Sequence, residues 1–154
     1  MSFQNQFTKT TTDANLMETV HHGSAEYPFR YYYENIALFD FKCIDWHWHS
    51  ELEFIYIESG NVVFDIGTVH FELNEGNGIM INSKILHRLQ SSSDAIIPNF
   101  LFQPSFIAPQ DSLIYKKYIN PVISSSLEYL VFQPDIPWQK KALLYHCYYK
   151  GVRL

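Results

Sequence analysis

From Tyr27 to about Phe106 the chain reads as short runs of Tyr, Phe, Ile, Val and Trp broken by turn residues, the pattern of β-strands. Strands are expected near 29–33, 36–42, 45–49, 53–58, 62–66, 69–73, 78–82, 86–90 and 95–103. Ser59-Gly60-Asn61 reads as a hairpin turn, Asn74-Glu75-Gly76-Asn77-Gly78 as a Gly-rich one and Ser91-Ser92-Ser93-Asp94 as another. Many short strands with frequent turns predict a sandwich or small barrel. After Pro109 the period changes. Asp111 or Ser112 can cap a helix running to about Ile119, with Pro121 just beyond its end. Tyr129-Leu130-Val131-Phe132 reads as one more strand, and Asp135-Ile136-Pro137 opens a second helix. That helix carries Leu143, Leu144, Tyr145, Cys147, Tyr148 and Tyr149, so it wants apolar cover on two sides: the barrel and a partner chain. Residues 1–25 are polar and aperiodic, although Phe3 and Phe7 could dock locally, and predict a flexible arm.

Composition narrows this picture. The 154 residues make room for one domain, and 47% hydrophobic residues are enough for a real core. The net charge is -5, but residues 1–83 hold 3 basic residues against 12 acidic, and residues 84–154 hold 8 against 4. Lys140, Lys141, Lys150 and Arg153 fit the end of a solvated helix better than a nucleic-acid patch, since no recognition module is present. Cys43 and Cys147 have no metal or redox spacing and are expected to be small, buried and reduced. No apolar run reaches membrane length and no leader is evident, so a cytoplasmic protein without membrane association is expected.

The segment Asp45-Trp46-His47-Trp48-His49-Ser50-Glu51-Leu52-Glu53 is the most informative. On a strand, alternate side chains face opposite ways, so His47, His49, Glu53, Ile55 and Ile57 can all point into a barrel. Trp46, Trp48, Phe54 and Tyr56 then face outward and need other cover. Neutral imidazole and carboxylate at this spacing suit iron, manganese, nickel or zinc. A third histidine, His87, follows the Gly-rich turn. His21, His22 and His70 read as surface or loop residues, and nothing in the sequence assigns His146 a partner.

These residues resemble the cupin family. His47, His49, Glu53 and Gly60 fit its first motif, H-x-H-x3-E-x6-G, and Gly76 and His87 fit its second. Phe41 replaces the glycine that opens the first motif, and Asn82, Lys84 and Ser91 replace the proline, glycine and asparagine of the second. The same stretches resemble the N-terminal effector domain of AraC-type transcription regulators. So do Gly78–Ser83 leading to Leu86-His87, Lys117–Pro121, and Trp138-Gln139-Lys140; the similarity spans roughly residues 27–150.

The resemblance implies a mainly β, double-stranded β-helix barrel followed by C-terminal helices. It divides the chain into an arm (1–25), an effector-binding barrel (26–108) and a helical tail with one strand, used for dimerisation (109–154). It implies a small-molecule effector held by His47, His49, Glu53, Ile55 and His87, and a homodimer. DNA would be bound only through a downstream helix-turn-helix domain that this chain lacks, so the chain is expected to be the sensor half of a longer regulator and not an enzyme. In metal-binding cupins His47, His49, Glu53 and His87 would be the ligands of a divalent ion. Two alternatives stay open: the four residues hydrogen-bond one another or an effector without metal, or the chain is a stand-alone metal-binding cupin enzyme of dioxygenase or isomerase type. No nucleophile–base pair stands out by spacing, and 74–78 lacks the lysine and hydroxyl residue of a P-loop. Trp46, Trp48, Tyr56 and Tyr31-Tyr32-Tyr33 suit either a flat-faced ligand or ordinary core and interface.

Overall fold

The computed structural model describes residues 8–149, with side chains described to Tyr145. Phe3, Phe7, Lys150 and Arg153 lie outside the described residues, as do the side chains of His146, Cys147, Tyr148 and Tyr149.

Nine strands form two antiparallel sheets packed face to face. The strands are β1 (Phe29–Asn35), β2 (Cys43–His47), β3 (Leu52–Tyr56), β4 (Asn61–Ile66), β5 (Val69–Asn74), β6 (Gly78–Ile81), β7 (His87–Gln90), β8 (Ile96–Phe102) and β9 (Tyr129–Phe132). One sheet runs β1-β8-β3-β6-β9 and the other β2-β7-β4-β5. Between them lies a core of branched aliphatics, including Ile55, Ile57, Val62, Ile66, Ile79, Ile81, Leu89 and Ile97, together with Phe64, all 2% exposed or less. Alternation places these residues inward and the aromatics Phe54, Phe100 and Phe102 outward, where their rings stack.

The expected strand at 36–42 is instead two 3-10 turns, Ile36–Leu38 and Asp40–Lys42. Asn35 breaks the strand by accepting the Ala37 N–H on its side-chain oxygen, at 2.9 Å. The three expected hairpin turns are also corrected. Ser59–Asn61, Asn74–Gly78 and Ser91–Asp94 each carry the chain from one sheet to the other, because the strands they join do not pair. The β4–β5 hairpin falls at Gly67-Thr68, between the paired residues Ile66 and Val69, where Gly67 takes a φ of +55°.

In the tail, Ser112 Oγ accepts the Tyr115 N–H, as its predicted capping role requires. The helix does not stop before Pro121. A π-helical turn, Tyr115–Ile119, runs into α1 (Asn120–Ile123), whose first turn holds the proline. A proline there lacks only an N–H that a new helical register leaves unused. The second helix, α2 (Pro137–Tyr149), begins on its proline as expected. Leu143 packs it onto Met80 and Phe132, with Phe54 and Tyr56 alongside, which supplies part of the cover those outward aromatics needed. A Cβ on Gly78 would come within 2.5 Å of Leu143 Cδ2, so the bare backbone lets the helix approach.

Asn82, at the end of β6, ties the tail to the barrel. Its Nδ2 donates to the carbonyls of Val122 and Leu127, at 2.9 and 2.7 Å, and the residue is 2% exposed. Replacing Asn82 by Ala removes both bonds and strands two acceptors. We expect a loss of about 1–3 kcal/mol in urea denaturation, with faster amide exchange confined to residues 120–128.

Candidate functional site

The barrel is not apolar throughout. His47 and His87 reach inward from the four-stranded sheet and Glu53 from the central strand of the other. His49 sits in the loop between β2 and β3. One ligating atom from each of the four lies within 4.8 Å of the others. All four are buried, His87 completely.

Local backbone features set this convergence. Between Ile44 and His47 the register of β2 against β7 slips by one residue, a bulge that places His47 directly opposite His87. Their ring centroids are 4.2 Å apart. Lys84 N–H donates to the His49 carbonyl at 2.7 Å, and Ser83 Oγ to the Ser50 carbonyl at 2.7 Å, which holds the His49 loop. Gln103 Nε2 adds bonds to Ser50 Oγ and Glu51 Oε1.

The two glycine positions lost from the cupin motifs keep their backbone shape. Phe41 has φ +58° and Lys84 has φ +62°, both left-handed. Asn82 and Ser91, the other two departures, hold the tail and the Asn61 carbonyl respectively.

Each histidine turns its Nδ1 to a backbone carbonyl: His47 to Asp45 at 2.7 Å, His87 to Ile85 at 2.8 Å, and His49 to Glu51 at 3.2 Å. With Nδ1 as donor, the Nε2 atoms face the cluster centre. His49 Nε2 is 3.3 Å and His87 Nε2 3.2 Å from Glu53 Oε2, and the buried His87 Nε2 makes no well-aligned hydrogen bond.

Electrostatics follow from this packing. Burial would raise Glu53, but the bond from His49 and the close approach of His87 overcome it and hold the carboxyl well below its usual range. Burial would lower His49, but its bond to Glu53 wins and raises it. Burial, with His87 beside it, pushes His47 down to about 3, so it stays neutral.

Beside the cluster is a cavity of about 50 Å³ that reaches His47 and Glu53. Its far wall carries Tyr32, from the tyrosine run that suited a flat-faced ligand, with His22 and with Glu18, Glu34 and Asn99, which the sequence did not single out. His22, expected at the surface, is 8% exposed. Its Nε2 meets Glu18 and its Nδ1 meets Tyr32 Oη, both at 2.8 Å. Residues 8–22 bring it there: Glu18 N–H donates to the Trp48 carbonyl, Trp48 N–H to that of Leu16, and Asp45 N–H to Thr10 Oγ1. The period-two pattern of β1, with Tyr32 and Glu34 on one parity, was the available signal for the wall. Of the other expected residues, Ile55 lies in the apolar core and not on this wall. Trp46 stacks under Arg88, and Trp48 Nε1 donates to the Asn15 carbonyl. His70 stays at the surface, bonded to Asp65. Cys43 is free and half-buried.

A two-sheet barrel with an H-x-H-x3-E and a later histidine converging inside it is a cupin-like fold, and residues 40–108 match the family of AraC-like ligand-binding domains. The chain belongs to that family. Over 134 residues it is 32% identical to an uncharacterised HTH-type transcriptional regulator, YdeC, of Bacillus subtilis (strain 168), an alignment covering 85% of this chain. The chain spans about 45% of that regulator's length. Among solved structures it is similar to a cupin 2 conserved barrel domain protein of Salinispora arenicola CNS-205, with TM-score 0.46 and 13% identity over 58% of this chain and 71% of that one. A cupin superfamily protein of Desulfitobacterium hafniense DCB-2 gives TM-score 0.46 and 11% identity, over 53% of this chain and 71% of that one. Among the described residues no helix is long and apolar enough to cross a membrane.

Glu34 generates a pH prediction. Burial raises it to about 7 against the Asn99 bond, with the charges of Glu53 and Glu18 adding to the rise. The folded state therefore holds this proton more tightly than the unfolded chain, so stability is lost as pH climbs from about 4.5 through 7. Glu34→Gln should raise stability by about 1–2 kcal/mol at pH 8 and change little near pH 4.5, read from denaturation midpoints at both pH values.

Proposed function

We propose that the chain is the sensing part of an AraC-type transcription regulator, with the cavity beside His47, His49, Glu53 and His87 as its effector site and Ile55 behind it in the barrel. The observation that carries this reading is a cavity in the barrel where the polar side chains of Glu18, His22, Glu34, His47, Glu53 and Asn99 meet apolar walls. Buried polar groups cost free energy unless partnered, and a binding site is one reason to keep them. In this reading residues 1–25 form the arm, 26–108 the effector barrel and 109–154 the dimerisation tail. The protein acts in the cytoplasm, performs no catalysis, and reaches DNA through a helix-turn-helix domain beyond this chain. Effector contacts favour one packing of arm and tail over another, which is all that coupling requires.

Dimerisation through α2 is supported by its outward residues Trp138, Leu144 and Tyr145, which are 59%, 46% and 65% exposed. Sedimentation equilibrium should show a dimer, and the Leu144→Glu/Tyr145→Glu double variant a folded monomer. A wild-type monomer at high concentration, unchanged by any effector, defeats the dimer reading. A metabolite screen by ligand-observed NMR should return binders that His47→Phe loses; binders that persist in that variant lie outside the barrel.

A second reading is that the four residues hold a divalent ion such as iron, manganese, nickel or zinc. The donor set fits: three imidazoles oriented by backbone carbonyls and one ionised carboxylate, with the His87 Nε2 left without a well-aligned bond. A bound ion would supply Lewis acidity, and without one the raised His49 stands beside the Glu53 charge. Cobalt(II) titration of chelator-stripped protein should saturate at about one equivalent per chain. His87→Ala should weaken it by about tenfold or more. Saturation unchanged in that variant excludes the site.

A further inference from the structure

Three carboxylates face the cavity: Glu18, Glu34 and Glu53. Two have cationic or protonatable partners, Glu18 in His22 and Glu53 in His49 and His87. Glu34 has none: its one hydrogen bond is from Asn99 Nδ2, at 2.9 Å, and it forms no ion pair among the described residues. Asn99 is 2% exposed and donates through the same amide nitrogen to the Ile97 carbonyl. Its amide oxygen accepts no hydrogen bond among the described residues, although Asn99 lines the cavity. Among the described residues the wall beside β1 thus offers a carboxylate without a counter-charge and an amide oxygen without a donor. Lys9, at the rim, is exposed and pairs with none of the three acids. His47 is neutral and adds no positive charge.

We propose that the effector enters this cavity by a small cationic head group, a primary ammonium or a guanidinium, held by Glu34 and the Asn99 oxygen. The proposal rests on the effector-site reading above and specifies its chemistry. A primary ammonium carries three donors and a guanidinium five, with no acceptor, matching the two acceptors that Glu34 and the Asn99 oxygen present. A cation also stabilises the ionised form of Glu34, whereas a neutral hydroxyl compound supplies no counter-charge to it. An anionic group would meet the ionised Glu18 and Glu53. The cavity of about 50 Å³ admits a group the size of a few waters, not a whole sugar ring.

The test uses the full chain, stripped with EDTA, and follows amide and imidazole resonances by NMR. Ethylammonium and methylguanidinium are the cationic probes, N-methylurea the neutral one and acetate the anionic one. The cations should saturate in the millimolar range, shift the resonances of Tyr32, Glu34 and Asn99, and weaken at least tenfold in Glu34→Gln. That variant keeps the side chain's shape and is expected to be the more stable protein above neutral pH, so loss of binding is not loss of fold. Equal or tighter binding of N-methylurea or acetate in the cavity overturns the cationic head group while leaving the effector site standing. Cation binding unchanged in Glu34→Gln, or no binding by any probe, overturns it as well. Zinc alone separates a metal from an organic cation: zinc binding should depend on His87 and survive Glu34→Gln. If Glu34→Gln abolishes zinc binding and spares ethylammonium, the wall belongs to a metal site and the proposal falls.

Discussion

Glu53 is an ionised carboxylate on the central strand of a sheet whose neighbours on the same face are Ile55, Ile79, Ile81 and Leu101. A lone charge there would cost several kcal/mol in desolvation. Donors from the opposite sheet and from the β2–β3 loop offset that cost, and the geometry of the barrel's interior follows from the need to bring them. The β2 bulge, the three backbone carbonyls that orient the imidazoles and the bonds from Lys84 and Ser83 to the His49 loop all serve that end. The same pairing joins the two sheets across the core, through His87 on β7 and Glu53 on β3.

From Glu53 the structure leads outward by short steps. Glu53 pairs with Ile81, and the next residue, Asn82, grips the carbonyls of Val122 and Leu127. Two residues along β3, Ile55 pairs with Ile79, beside the Gly78 on which Leu143 of α2 rests. The interior site and both parts of the tail therefore share strands β3 and β6. A rearrangement at Glu53 has rigid elements through which to reach the tail, which is the physical content a sensing role demands.

Much of this was legible in the sequence. Strand periodicity located all nine described strands to within a few residues, with one expected strand, 36–42, in excess, and the parity of His47, His49, Glu53, Ile55 and Ile57 correctly placed them inside. What failed was non-local. Turn residues at 59–61, 74–78 and 91–94 mark where strands end and carry no information about which sheet comes next. The 36–42 run has strand composition, but Asn35 and the left-handed Phe41 break it. His22 looked like a surface residue because only the path of residues 8–22 along Trp48 brings it to Tyr32. The altered motif positions mislead in the other direction: Phe41 and Lys84 change the residue and keep the glycine-like backbone.

The alternation between sheets has a kinetic consequence. Of the seven strand pairings among the described residues, only β4 with β5 joins neighbours in the chain; every other ladder closes across a long stretch of sequence. Such a topology folds slowly, because loop entropy is spent before the contacts that reward it form. The β4–β5 hairpin is the one ladder that can form early, whereas His47, Glu53 and His87 meet only when β2, β3 and β7 are all in place. A molecule recognised by those residues therefore finds its site in the finished barrel alone. Its binding energy then adds directly to the barrel's resistance to unfolding and to proteolysis, and the cell's stock of intact protein would itself rise and fall with the ligand.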